Sequence, residues 1–224
     1  MATGGAGTDH LSTWDVSRTT VTNSAGVAAD MMAEYVFGTF LQFTLGMPEL
    51  QVDKAASVWR ARTLVPLKGK TLLIVGRGHT GRAVARRARA FGMTVLGTRA
   101  RPAPMEGVDE VHPAYALDDL LPRADFIAAS TPLTEGTRGL IGASAIAAMK
   151  PSAILVDVSR GGVVDQTALA RALQRNRIAG AALDVFEVEP LPTDSPLWDI
   201  RNLVISPHCS GVYEGWGRAS FDLF

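Results

Sequence analysis

The chain has 224 residues, enough for one large domain or one and a half. Hydrophobic residues make up 47%, which supplies a sizeable core, and 22 Lys and Arg balance 22 Asp and Glu, which excludes a dedicated nucleic-acid or anionic-membrane surface. The single cysteine, Cys209, excludes an internal disulfide and suits a reducing, cytoplasmic setting. No apolar run approaches the about 20 residues of a membrane span. The N-terminus lacks the basic and apolar regions of a signal peptide.

In chain order, glycines and small residues dominate the first nine positions, and 21–23 is a short strand candidate. Apolar positions at Met31, Met32, Tyr35, Val36, Phe40 and Phe43 are spaced for the buried face of a helix over 28–45, which Pro48 stops. A second helix is expected over 49–59 and a linker over 64–69. The stretch TLLIVGRGHTG, 71–81, organises the rest of the chain. An apolar strand, 72–75, runs into Gly76, Gly78 and Gly81 at GxGxxG spacing. A helical pattern rich in arginine then closes at Gly92, and a second strand comes next at 93–97.

Strand, glycine turn, helix and strand form the context that a dinucleotide fingerprint needs. Gly76 permits the turn, Gly78 admits a pyrophosphate and Gly81 lets helix and strand pack closely. The N–H groups of His79 and Thr80 face the phosphates at the positive helix end. The alternative is a glycine-rich structural turn. Arg82, Arg86, Arg87 and Arg89 read mostly as a solvated face, with Arg82 within reach of a phosphate.

Further strands are expected at 108–111, 125–130, 153–158, 178–186 and 203–206, and helical segments at 117–121, 144–149 and 165–175, with Asp165 as an N-cap. This alternation predicts an α/β fold with a doubly wound parallel sheet. Polar residues collect where strands end: Thr131, Arg160, Asp184 with Glu189, and His208. Ligands bind at that edge of such sheets. A lone histidine after proline is more often structural; four polar residues on successive strand ends favour a site. Cys209 reads as a small packing residue.

The segments VDVSRGGVVD (156–165), ALDVFEVEPLP (182–192) and NLVISPH (202–208) resemble the signatures of the D-isomer-specific 2-hydroxyacid dehydrogenases. GAGTDH near the start, AEYV (33–36) and LKGKTLLIVGRGHTGRAVA resemble the same family in the same order, in its glyoxylate/hydroxypyruvate reductase-like flavour. The resemblance implies a Rossmann-type NAD(P)-binding domain over 26–208. Residues 1–25 would be a remnant of a flavodoxin-like substrate domain, and 209–224 the start of a truncated C-terminal return segment. It also implies roles. Arg160 would bind the carboxylate and carbonyl of a 2-oxo acid, His208 would be the acid/base and Glu189 its partner. Asp184 would touch the nicotinamide carboxamide, and Thr131 and Val158 would line the cofactor groove. The backbone of Ala6 and Gly7 would help to hold the substrate carboxylate, and no metal is implied.

The chemistry agrees. Reduction needs a proton for the developing alkoxide, which histidine delivers near neutral pH, and a guanidinium fork matches a carboxylate bidentately. Asp157 stands where many relatives carry Asn. The family's substrate lobe normally precedes GAGTDH, so the sequence is either a fragment of a longer protein or a truncated gene product. On its own it is expected to bind cofactor but turn over poorly. It is also expected to form a homodimer, with an exposed helix 28–45 favouring self-association. A corepressor-like dinucleotide sensor is the alternative function. An NAD-binding unit places Asp or Glu about 20 residues past the glycines; here Arg99 stands eighteen residues past Gly81. NADP is therefore the expected cofactor, with NAD possible, Arg99 the determinant, and Arg101 or Thr98 assisting.

Overall fold

A computed structural model describes residues 2–3, 15, 20–76, 78–99 and 103–223. Its centre is a sheet of seven parallel strands: β3 (Thr71–Val75), β4 (Thr94–Arg99), β5 (Glu110–Pro113), β6 (Phe126–Ala129), β7 (Ile154–Asp157), β8 (Gly180–Leu183) and β9 (Leu203–Ile205). Their spatial order is β5-β4-β3-β6-β7-β8-β9. The winding direction reverses between β3 and β6, which creates a crevice at their carboxyl ends. A separate parallel pair joins β1 (Ala2–Thr3) to β2 (Thr22–Asn23).

The strands are covered on both faces, as their unbroken apolar runs require. In β3, Leu73 and Val75 enter one core with β6, β7, α4 (Leu117–Leu120), α5 (Ala143–Ala148) and α6 (Gln166–Gln174). Leu72 and Ile74 point the other way, into a core with α1 (Ala29–Thr44) and α3 (His79–Ala90). Alternate strand side chains leave opposite faces, so a single strand feeds both cores. Each fully buried Leu or Phe contributes roughly 1.5–3 kcal/mol. The predicted cap of α6 is present: the Asp165 side chain accepts from Ala168 N at 2.8 Å, an interaction of about 1 kcal/mol.

Two expectations need correction. Helix α1 is not an exposed face for self-association, because Ala33, Val36, Phe37 and Phe40 are buried against the sheet and α3. Exposed apolar side chains lie instead on α2 (Met47–Ala55) and the strap after it, where Val52 is 67% and Trp59 101% exposed. Pro48 does not stop α1. Gly46 does so in the left-handed region, φ 59°, and Pro48 sits in the first turn of α2, where its missing N–H costs nothing. The arginines of α3 are mostly at the surface, as expected: Arg82, Arg86 and Arg89 are exposed and Arg87 is half-buried. Arg87 donates to Asp30 at 2.8 Å and to Glu34 at 3.0 Å, tying α3 to α1. Among the described residues no helix is long and apolar enough to cross a membrane.

Candidate active site

The glycine turn sits at the crevice. Gly76 has φ 102°, and a Cβ there would lie 2.6 Å from Thr131 N. The end of β3 thus presses against the end of β6, where Ser130 Oγ donates to Gly76 O at 3.2 Å. A Cβ on Gly81 would lie 2.3 Å from Gly76 O, so α3 starts in direct contact with the turn. Gly78 differs. Its φ of −74° is open to any residue, and a Cβ there meets nothing within 4 Å. Among the described residues, neither backbone nor packing asks for glycine at 78. A glycine there suits a ligand that fills that space. Gly78 also brings no side-chain cap to α3, and His79 and Thr80 open the helix beside it. A free helix N-terminus facing open space fits a pyrophosphate. Thr131, half-buried, and Val158, 3% exposed, belong to the ends of β6 and β7 beyond the turn. Arg99, half-buried, ends β4 on the other side.

Further along the same edge stand Arg160, Glu189 and His208, one on each of three successive strand-end loops. A Cβ on Gly161 would lie 1.9 Å from Phe186 O, so the Arg160 loop and the loop leading to Glu189 touch backbone to backbone. Glu189 Oε1 accepts from Phe186 N at 2.9 Å. Its Oε2 meets His208 Nδ1 at 2.8 Å. Burial pushes the Glu189 carboxyl up. The His208 and Phe186 hydrogen bonds, with the charges of His208 and Arg160, outweigh this and hold it below the usual range. The carboxylate therefore fixes the imidazole through Nδ1 and leaves Nε2 as the nitrogen for proton exchange.

His208 adopts φ 51°, a region few non-glycine residues occupy. Its N–H donates to Asp184 O at 2.9 Å and to Ser206 O at 3.0 Å. The Asp184 side chain is 1% exposed and faces the same turn. Oδ1 accepts from the Ser206 hydroxyl at 2.5 Å and Cys209 N at 2.9 Å, and Oδ2 from Ser210 N at 3.0 Å. Asp184 thus clamps the loop that carries His208. This is why β8 ends at Leu183 rather than running on as the apolar pattern suggested. Cys209 is exposed, not packed; its backbone, not its thiol, is engaged. The clamp extends to Tyr35 on α1, whose hydroxyl meets Ser206 Oγ at 2.7 Å. Tyr35 was legible only as part of an apolar stripe, although a buried tyrosine hydroxyl needs a partner. Ala6, Gly7 and Arg101 lie outside the described residues.

A family model described as D-isomer specific 2-hydroxyacid dehydrogenase, NAD binding domain, matches residues 37–210. The chain belongs to this family. The glyoxylate reductase of Korarchaeum cryptofilum is 40% identical over 202 residues, covering 86% of this chain and 60% of the reductase. A crystal structure of a D-isomer-specific 2-hydroxyacid dehydrogenase family protein from Aeromonas salmonicida matches at TM-score 0.92 and 37% identity. It covers 99% of this chain and 72% of that one. The NADPH-dependent glyoxylate/hydroxypyruvate reductase of Sinorhizobium meliloti, in complex with NADP and sulfate, matches at TM-score 0.89 and 29% identity, over 99% and 71%. The chain thus spans 60% of the length of the archaeal reductase. The matched segment includes the glycine turn, Arg160, Glu189 and His208.

Proposed function

We propose that this chain is the nucleotide-binding part of an NAD(P)H-dependent reductase of small 2-oxo acids of the glyoxylate or hydroxypyruvate type. The observation that carries the reading is the Glu189–His208 pair, 2.8 Å apart, on the sheet edge shared with Arg160 and the glycine turn. A reduced nicotinamide, held in the crevice, would supply the hydride. The Arg160 guanidinium binds the substrate carboxylate and steadies charge on the carbonyl oxygen. The His208 imidazole gives its Nε2 proton to the alkoxide, and Glu189 holds the ring and offsets its charge. Asp184 keeps His208 in place; on the family's pattern Asp184, Thr131 and Val158 would help to hold the cofactor, and Ala6 and Gly7 would contribute to the substrate carboxylate site. The experiment is NADPH and NADH oxidation by the full protein over a broad panel of 2-oxo acids. Turnover on glyoxylate or hydroxypyruvate supports the reading; no turnover on any member removes it.

The preferred cofactor in this reading is NADPH. No acidic residue occurs between Gly81 and Glu106, so nothing on β4 repels a 2′-phosphate. Thr98 is 3% exposed, which among the described residues of β4 favours the half-buried Arg99 as the group that meets that phosphate. A charged hydrogen bond is worth roughly 1.5–3 kcal/mol, or about tenfold or more in affinity. Arg99→Asp is expected to reverse the ratio of NADPH to NADH dissociation constants. An unchanged ratio would show that Arg99 does not read the phosphate.

The protein is further read as a cytoplasmic homodimer. Its one cysteine, exposed and unpaired, suits a reducing compartment. The exposed apolar side chains Val52, Trp59 and Leu64 suit a subunit contact. A monomer by sedimentation equilibrium would remove the dimer.

A further inference from the structure

Asp157 ends β7, three residues before Arg160, and is completely buried. Its Oδ1 accepts from Ser159 N at 2.9 Å and from the Ser159 hydroxyl. Its Oδ2 is enclosed and has no hydrogen-bond partner among the described residues, and none of their cations forms an ion pair with the carboxyl.

The neighbouring groups do not supply one. On β8 the facing group is another carboxylate: Asp184 N donates to Asp157 O at 3.0 Å, so the two acids end adjacent strands. On β6 the residue in register is Ala129, followed by the uncharged Ser130 and Thr131. From α1 comes Tyr35, whose hydroxyl is engaged by Ser206. Beyond β9, His208 is taken by Glu189. On the same turn, Arg160 Nη1 donates to Ser159 O at 2.8 Å rather than to Asp157.

An anion with one bare oxygen, fully buried beside a second carboxylate, is a costly arrangement. A neutral acid avoids most of that cost and keeps Oδ1 as the acceptor for Ser159. We propose that Asp157 is a positioning residue held as the neutral acid: through Ser159 it sets the turn that presents Arg160, and loss of its proton makes that turn pH-sensitive. Ser159 is gripped from two sides, by Asp157 below and by the Arg160 guanidinium above. An ionised Oδ2 must gather new donors or water, and Ser159 and Arg160 are the atoms that must move to admit them. Burial pushes the carboxyl up to about 7, with the Ser159 bonds opposing and the Asp184 charge adding, which places the change in the range where a reductase works. The consequence for substrate binding rests on the role proposed for Arg160; the titration of the turn does not.

The test is a pH titration of the 224-residue chain by carbon-detected NMR, in wild type, Asp157→Asn and Asp157→Ala. One aspartate carboxyl signal, absent from both variants, is expected to titrate near pH 7 rather than near the ordinary 3.8. The amides of Ser159 and Arg160 and the Arg160 side-chain signals are expected to shift with the same midpoint. In Asp157→Asn, which keeps the acceptor and cannot ionise, those signals should hold their low-pH wild-type positions throughout. In Asp157→Ala they should be displaced at every pH. Unfolding provides a second readout. The folded state holds this proton where the unfolded chain has released it, so wild-type stability should fall as pH rises from about 4 to about 7, then level. Asp157→Asn should lose that slope. A carboxyl that titrates in the ordinary range, or turn signals that ignore its midpoint, would overturn the proposal. Failure of the 2-oxo acid panel would leave these signals unchanged, so the two readings fail separately.

Discussion

Replacing Gly161 by alanine should cost more stability than almost any other single methyl group added to this chain. The added Cβ would stand 1.9 Å from Phe186 O, 2.2 Å from Phe186 C and 2.7 Å from Glu187 N. All three are backbone atoms, and none can rotate away as the tip of a side chain does. Either the loop after β7 or the loop after β8 must move. Both are anchored: Val163 N and Ile141 N fix the first side through Arg160 O and Val163 O, and the Gln166 amide donates to Val185 O at 3.0 Å on the second. Overpacking of this kind falls in the class of about 4 kcal/mol or more. Urea denaturation should show a large fall in midpoint for Gly161→Ala. Gly136→Ala serves as control, since a Cβ there meets nothing within 4 Å; it should stay within about 0.5 kcal/mol of wild type. Equal midpoints for the two variants would mean that the loops are not in contact. The same contact sets the distance between Arg160 and Glu189, so any Gly161→Ala protein that folds should also lose activity.

The second large effect belongs to His208. His208→Ala removes the group proposed as proton donor and leaves the glycine turn untouched. The expected result is a fall in kcat of roughly 10²–10⁴ with little change in cofactor affinity. Glu189→Gln should fall in between, because an amide still reaches Nδ1 but carries no charge to offset the imidazolium. The pH dependence has a definite sign. The Glu189 carboxyl is held below its ordinary range by the interactions of the folded site, so its contribution is present above the unfolded value and is lost as pH falls through the lowered one. In Glu189→Gln, that acid-side loss should vanish. Unfolding of wild type and Glu189→Gln against pH measures this, and steady-state rates of the three proteins measure the catalytic loss. A kcat for His208→Ala within about threefold of wild type, far short of the loss expected of a proton donor, would remove His208 from proton transfer.

Much of this architecture was legible because strong local signals agreed. Thr71 to Gly81 announces strand, turn and helix in one reading, and the observed φ of Gly76 and tight contact of Gly81 follow from those glycines. Asp165 announced its cap. The chain order of Arg160, Glu189 and His208 placed them at one sheet edge, since every strand is parallel and its end lies on the same side. What escaped depends on contacts between distant segments. Nothing near Asp184 in sequence reveals that Ser206, Cys209 and Ser210 will supply its donors. An apolar run predicts β8 continuing past Leu183, but polar clamping ended it. The burial of α1 was visible as a stripe, whereas the exposed apolar side chains on α2 and its strap have no periodic signature. Asp157 looked like a neighbour of Arg160; that one of its oxygens is enclosed without a partner is a property of the packed sheet alone.

Titration of the chain with NADPH, wild type against Gly78→Ala, bears most directly on the crevice between β3 and β6. The alanine methyl group has open space and an ordinary backbone conformation, so thermal unfolding of the variant without cofactor should match wild type. Bound pyrophosphate would need that same space. Wild type should bind at one site per chain, and Gly78→Ala should bind at least about tenfold more weakly. A Gly78→Ala protein that folds normally and binds NADPH as tightly as wild type would contradict a dinucleotide cradle at this turn.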